Sequence, residues 1–341
     1  MKKSIIYTGL ALLTISAAAL LTTGCNGCSR GYDGPDTIAL QPCPQFSADS
    51  AMQYIVQQCN YGPRVPGSQA WHDCGDWIAQ QFTMLGCEVE EQTTNVTAWD
   101  GTVLPCRNII AHMNPDNMDR ILLCAHWDCR PWADNDPNPN NQHTPIVAAN
   151  DAASGVAVML ELARTIQQEG TLRTGIDFVC FDVEDYGTPQ WAENDTTDTS
   201  KTWCLGSQYW AEQAAANGYK ARFGILFDMV GGRGTSFSKE MVSMQYASPV
   251  VEMLWHIANQ IGYEEQFPLR NGGYLIDDHV PVNQMARVPC IDIVSYSSNE
   301  MESTFGPTWH TVSDTPDNID PKVLEAVGQS VLQLLYNDNA E

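Results

Sequence analysis

A chain of 341 residues with 43% hydrophobic content can bury a large core, which excludes disorder throughout and fits one large α/β domain or two small ones. Its 41 Asp and Glu against 17 Lys and Arg leave a formal charge of −24, a field that repels phosphate backbones and anionic headgroups and argues against nucleic acid as a partner. The same field draws in cationic groups, a free peptide α-amine among them.

The N-terminus reads as an address. Lys2 and Lys3 precede the apolar run Ile5 to Leu21, and Leu21-Thr22-Thr23-Gly24-Cys25 leads small residues up to a Cys. That stretch resembles the lipobox of bacterial lipoproteins, with Thr22 where Leu is usual; a plain secretory signal or a single membrane-spanning anchor are the alternatives. Residues 1–24 are therefore read as a lipoprotein signal peptide, Cys25 as the lipid-bearing residue, and the mature chain as exported, periplasmic or outer-membrane associated. Residues 25–45, rich in Gly, Pro and Ser, predict a flexible tether, and 46–341 one catalytic domain. Twelve cysteines in an exported chain predict disulfides, with Cys124 and Cys129 as candidates.

Next in the chain, Met52, Ile55, Val56 and Cys59 are spaced for an amphipathic helix, ended by Asn60-Tyr61-Gly62-Pro63. A second helix carries Trp71, Cys74, Ile78, Phe82 and Leu85 and stops at Gly86. Strands are predicted over 88–99, 106–113 and 120–125, and the last is apolar enough to be buried on both faces. Such strands sit in the centre of a parallel sheet, where function collects at the strand ends. The Pro, Asn and Asp of 131–145 predict a long loop over the site; Asp134-Asn135-Asp136 lacks the Gly and Glu of a calcium loop. A helix opens at Ala149-Asn150-Asp151-Ala152-Ala153-Ser154-Gly155, where small residues allow close packing. Phe178-Val179-Cys180-Phe181 then reads as a buried strand that stops in Asp182-Val183-Glu184-Asp185. After the polar stretch 187–202, with Trp191, come a helix at 207–217, a strand at 222–227 ending at Asp228, a helix through Val251, Leu254 and Ile257, and a strand at 288–296. The closing helix has Asp320 as its N-cap and Pro321 in its first turn. The alternation predicts an α/β domain with a central, twisted, mixed but mostly parallel sheet flanked by helices.

Adjacent Glu184 and Asp185 place like charges at the edge of a dry core, which is costly unless a cation or a proton is shared there. The pair reads either as an ordinary polar strand end or as a site where Asp185 binds a metal and Glu184 handles protons. His126, Asp128, Asp151, Asp228 and His310 also stand at predicted strand ends or loops, and zinc is held by such nitrogens and carboxylate oxygens. In an extended His126-Trp127-Asp128 the outer side chains share a face, so Asp128 can orient His126.

In this order, from Gly62-Pro63-Arg64-Val65-Pro66-Gly67-Ser68 to Trp309-His310-Thr311-Val312-Ser313-Asp314, the chain resembles the animal-type glutaminyl cyclases, built on the fold of the zinc-dependent aminopeptidases. The resemblance implies a zinc-exopeptidase (phosphorylase/hydrolase-like) fold and one zinc on Asp151, Asp185 and His310. It makes Glu184 the general acid/base, with Asp228 and Asp277 as carboxylates hydrogen-bonded around it. Phe305 and Trp309 become pocket walls and Trp191 the indole over the pocket. The implied reaction turns the N-terminal glutamine of a peptide into pyroglutamate and releases ammonia. Two departures stand out: Asp185 replaces the usual Glu, and Asp292 stands where the animal enzymes have His. A two-zinc aminopeptidase of the same fold, with His126, Asp151 and Asp228 on the second metal, is the main alternative; a peptide-binding lipoprotein without activity is a third. Asp277-Asp278-His279, Trp309 directly before His310 and the Trp191 segment favour the cyclase. Nothing in the pattern specifies an oligomer.

Overall fold

The computed structural model describes residues 37–192, 201–295 and 305–338. The expected signal peptide, Cys25 and the first part of the tether lie outside them. Six strands hydrogen-bond into one sheet: β1 (Glu88–Thr97), β2 (Val103–Met113), β3 (Arg120–His126), β4 (Gly175–Phe181), β5 (Gly224–Asp228) and β6 (Cys290–Val294), in the order β1-β2-β4-β3-β5-β6. The β1–β2 and β2–β4 pairs are antiparallel, and β4–β3, β3–β5 and β5–β6 are parallel. The mixed, mostly parallel sheet is the expected one.

The apolar runs of β3 and β4 divide by the two-residue period of a strand. Ile121, Leu123, Phe178 and Cys180 enter the larger core, while Leu122, Cys124, Val179 and Phe181 enter a second core on the other face. Helices α1 (Ala48–Asn60), α2 (Gln69–Met84), α3 (Ala153–Glu169), α5 (Met241–Gln260) and α7 (Pro321–Asp338) all contribute buried residues to the first core. Helix α4 (Leu205–Asn217) covers the second with Trp210, Ala211 and Ala214. The short α6 (His279–Pro281) runs into a wider turn over 282–286. β1 is the polar edge, with Glu88, Glu90 and Glu91 exposed, a composition that discourages edge-to-edge pairing.

Local chemistry sets the helix ends. Ser47 and Ser68 accept the Ser50 and Trp71 amides as N-caps, and Gly86 beyond α2 has φ +81, a conformation open to glycine. A non-helical Ala247 breaks α5 two residues before Pro249, whose ring clashes with a regular preceding turn. Helix α3 starts so close to the sheet that a Cβ on Gly155 would lie 2.3 Å from the Phe227 carbonyl oxygen and 2.8 Å from Ala125 Cβ. Gly155→Ala should therefore lose about 1–3 kcal/mol to overpacking, more than the ~1 kcal/mol of helix propensity it gains. The check is the denaturation midpoint, where an unchanged or raised value would contradict the close contact.

Two expectations are corrected. The tether is not loose as far as Gln45: Ile38 exchanges hydrogen bonds with the Gln260 side chain, Gln41 binds Asn337 and Gln333, and the Phe46 amide binds Gln329. These backbone groups find partners on α5 and α7, which a composition rule cannot foresee. The ten described cysteines are free thiols. Of the two candidates, Cys124 lies in the α4-side core and Cys129 in a separate small cluster with Ala133 and Ile146, and both are free. Among the described residues no helix is long and apolar enough to cross a membrane.

Candidate active site

The parallel strands β3, β4 and β5 end on one edge of the sheet and deliver His126, Glu184, Asp185 and Asp228 to the same place. The turns there are strained. Val183 (φ +51), Met229 (φ +50) and His310 (φ +53) are left-handed, a region disfavoured for side chains and above all for β-branched Val183. Buried Asp182 holds that turn by accepting the Val183 amide at 2.9 Å, the Arg107 amide at 2.7 Å and Trp71 Nε1–H at 3.0 Å. Asp128 accepts the amides of Glu184 and Asp185, each at 3.1 Å, and lies 3.3 Å from His126 Nδ1. It orients His126 as its spacing predicted, and it also clamps the backbone of the acidic pair.

Asp151 is placed in the same manner, before α3. Asp314 accepts the amides of Asn150 at 2.8 Å and Asp151 at 3.0 Å. The buried Arg64 guanidinium donates to the carbonyls of Trp127, Val147 and Ala148, so it staples the segments leading from His126 and into Asp151. The loop after β3 reaches over to His310: Asn135 N–H donates to the His310 carbonyl at 3.1 Å, and the Val312 amide donates to Asp136 at 3.1 Å.

Two buried trios share Asp151. His310 Nε2 lies 3.1 Å from Asp185 Oδ1 and 3.6 Å from Asp151 Oδ2. His126 Nε2 lies 2.9 Å from Asp151 Oδ1 and 3.3 Å from Asp228 Oδ1. Each trio offers three donor atoms within 4.8 Å of one another. In the first, Asp185 Oδ2 is buried with no hydrogen-bond partner, an orphaned acceptor that a cation would satisfy. One imidazole nitrogen and two carboxylates, beside an open cleft, suit a catalytic zinc. Arg130 supports this trio from behind: it pairs with Asp134 at 2.6 Å and donates to the Asp185 carbonyl at 3.0 Å, while Asp134 lies 3.5 Å from His310 Nδ1.

Glu184 lines the cleft beside a group of carboxyls. Burial, with the charges of Asp185, Asp277 and Asp278 added, holds its pKa well above the usual value against the pull of His126. Burial likewise lifts Asp228 to about 6, Asp277 to about 7 and Asp278 to about 8. Hydrogen bonds to Asp128, Asp151 and Asp228 outweigh burial at His126 and raise its pKa well above normal. The cleft itself is about 230 Å³, lined by Asp151, Glu184, Asp185, Asp228, Asp277 and His310 and walled by Trp203, Phe305, Trp309, Leu275 and Ile276. Trp309 stacks on His310 with ring centroids 3.8 Å apart.

The model of peptidase family M28 matches residues 108–335, two thirds of the chain. The chain belongs to peptidase family M28. The glutaminyl cyclase of Bacteroides thetaiotaomicron, solved with N-acetylhistamine bound, is 45% identical with a TM-score of 0.83, over 87% of this chain and 99% of that one. A Zn-dependent exopeptidase from Parabacteroides distasonis is 44% identical with a TM-score of 0.82, over 87% of this chain and 100% of that one. The glutaminyl-peptide cyclotransferase of Bos taurus is 24% identical over 300 residues, 80% of this chain and 77% of the relative.

In this M28 chain the expected Asp151, Glu184, Asp185, Asp228, Asp277, Phe305, Trp309 and His310 all line one cleft. Trp191 does not. It is 47% exposed and packs on Trp132 and His143, and Trp203 takes its place on the wall, parallel to His310 within 9° and under the Arg130 guanidinium at 4.7 Å. Gly187 makes room for that indole: a Cβ there would come within 2.1 Å of Trp203 Cδ2. An aromatic immediately before a helix start, facing a glycine across a polar stretch, was the available signal. Asp292 on β6 is buried, and His279 from α6 fills the space beside it, 3.5 Å from Asp292 and 3.1 Å from Glu240. An imidazole thus occupies this region from a neighbouring element.

Proposed function

We propose that the chain is a zinc-dependent glutaminyl cyclase that converts the N-terminal glutamine of peptides to pyroglutamate. The observation that carries the reading is the cleft, lined together by the Asp151, Asp185 and His310 trio, by Glu184 among carboxyls of raised pKa, and by aromatic walls. Zinc on Asp151, Asp185 and His310 would supply a Lewis acid for the γ-amide carbonyl. Glu184 takes a proton from the attacking α-amine and returns one to the departing ammonia, which its raised pKa permits in both directions. Asp228 and Asp277 line the same cleft, and burial raises both, to about 6 and about 7, so protons are available beside Glu184 near neutral pH. Trp203, Phe305 and Trp309 hold the folded glutamine and keep out the water that would give plain deamidation.

A second reading, a two-metal aminopeptidase, is favoured by the His126, Asp151 and Asp228 trio. We propose a single zinc on Asp151, Asp185 and His310, because the cleft-wall indoles Trp203 and Trp309 both stack on His310 while His126 does not line the cleft. A glutaminyl peptide with a free N-terminus should release ammonia and lose its mass, with about one zinc per chain. Leucine release from leucyl substrates with two tightly bound metals would sink the cyclase reading. The lipid at Cys25 belongs to the same proposal, and a mature form that stays freely soluble and unlabelled by palmitate would refute it.

A further inference from the structure

Beside the catalytic cleft lies a larger groove of about 570 Å³, and the two share Trp203, Leu275 and Ile276. The rest of its lining is largely apolar, with Val242, Tyr274, Val280, Pro281 and Met285. Three of its residues expose unusual apolar area: Tyr274 is 70% exposed, Ile276 60% and Met285 39%. In a chain this acidic, such a cluster beside the catalytic cleft marks a binding surface.

The wall is held in place before anything binds. Gly272 N–H donates to the Lys239 carbonyl at 2.7 Å, Met241 N–H to the Gly273 carbonyl at 2.9 Å, and Leu275 N–H to the Glu240 carboxylate at 3.1 Å. Tyr274 and Ile276 therefore stand on a braced strip, which lowers the ordering cost of docking against it. A bound N-terminal glutamine turns its α-amine and γ-amide toward Glu184 and the zinc trio, so the remaining peptide must leave through the mouth of the cleft. With about 3.3 Å between successive residues of an extended chain, the next two residues reach across the shared wall.

We propose that this groove takes the side chains of the second and third residues of the peptide and selects large apolar ones. The inference rests on the cyclase reading above. The test uses glutaminyl tripeptide amides with Leu, Phe, Ala or Glu at position two or three, against the full chain, Met285→Ser and Tyr274→Ser. We expect kcat/KM about tenfold or more higher for Leu or Phe than for Ala, with the ratio falling toward one in the variants. Because the ratio is taken within one preparation, loss of folded protein cannot imitate it. A flat profile at both positions, or a preference that survives both substitutions, overturns the groove while the cyclase reading stands. Absence of cyclisation with every peptide overturns both. A changed oligomeric state in Met285→Ser by light scattering, with the ratio intact, makes the groove a self-association face and overturns the substrate assignment.

Discussion

Glu184→Gln lowers kcat/KM for a glutaminyl peptide by about three orders of magnitude while zinc content stays that of the unmodified chain. The size follows from general acid–base catalysis, worth roughly 10²–10⁴-fold, with no contribution from metal loss because Glu184 is not one of the three donors. The pH profile adds a second readout. Glu184 must be ionised to accept the amine proton, and its pKa is raised, so activity should climb with pH through a value above the ordinary 4.5. The variant lacks that limb. Stability moves the other way: a carboxyl raised in the folded state binds protons there more tightly than in the unfolded chain. Folding therefore loses free energy as pH rises from 4.5 to the raised value. Glutamine carries no such loss, and the variant should be at least as stable at neutral pH by denaturant midpoint. A variant that sheds its zinc would mean that Glu184 and Asp185 have exchanged roles.

Asp185→Ala empties the metal site. It removes one of three donors and leaves Asp151 and His310 with a gap where the orphaned Asp185 oxygen now points. Zinc per chain should fall from about one to near zero, with turnover reduced to background. The same loss is visible without any substrate. Zinc at a hundred times its Kd stabilises the unmodified chain by about 2.7 kcal/mol, and the variant should show no zinc-dependent rise in melting temperature. Asp185→Glu restores the residue more usual in the animal cyclases. Its extra methylene must be accommodated against Arg130, which donates to both the carbonyl and the carboxylate of Asp185. Retained zinc with reduced turnover is the expected result, and full zinc retention in Asp185→Ala would remove Asp185 from the ligand set.

The parts of the site legible in the sequence were those whose chemistry is local. The acidic pair follows an uninterrupted apolar strand, and Asp128 stands two residues from the histidine it orients. The struts were not legible as such. Arg64, Asp134 and Asp314 look like ordinary polar loop residues, yet all three are buried, and Arg64 and Asp314 act on backbone 83 and more than 160 residues away. The choice of Trp203 over Trp191 was equally hidden, because the stretch between them has no hydrophobic period and the decision was made by Gly187 and Arg130 across the fold.

By itself the sequence determined the α/β alternation, a mostly parallel sheet and the residue types that could bind zinc and carry protons, because strand and helix periods and side-chain chemistry are local properties. Only the tertiary structure decided which carboxylates meet. It brought Asp151 between His126 and His310, turned Val183 into a strained conformation that aims Glu184 and Asp185 at one cleft, and held the thiols apart as free groups. Those outcomes depend on backbone amides, strand order and packing between distant segments, and such pairings are written in no single stretch of chain.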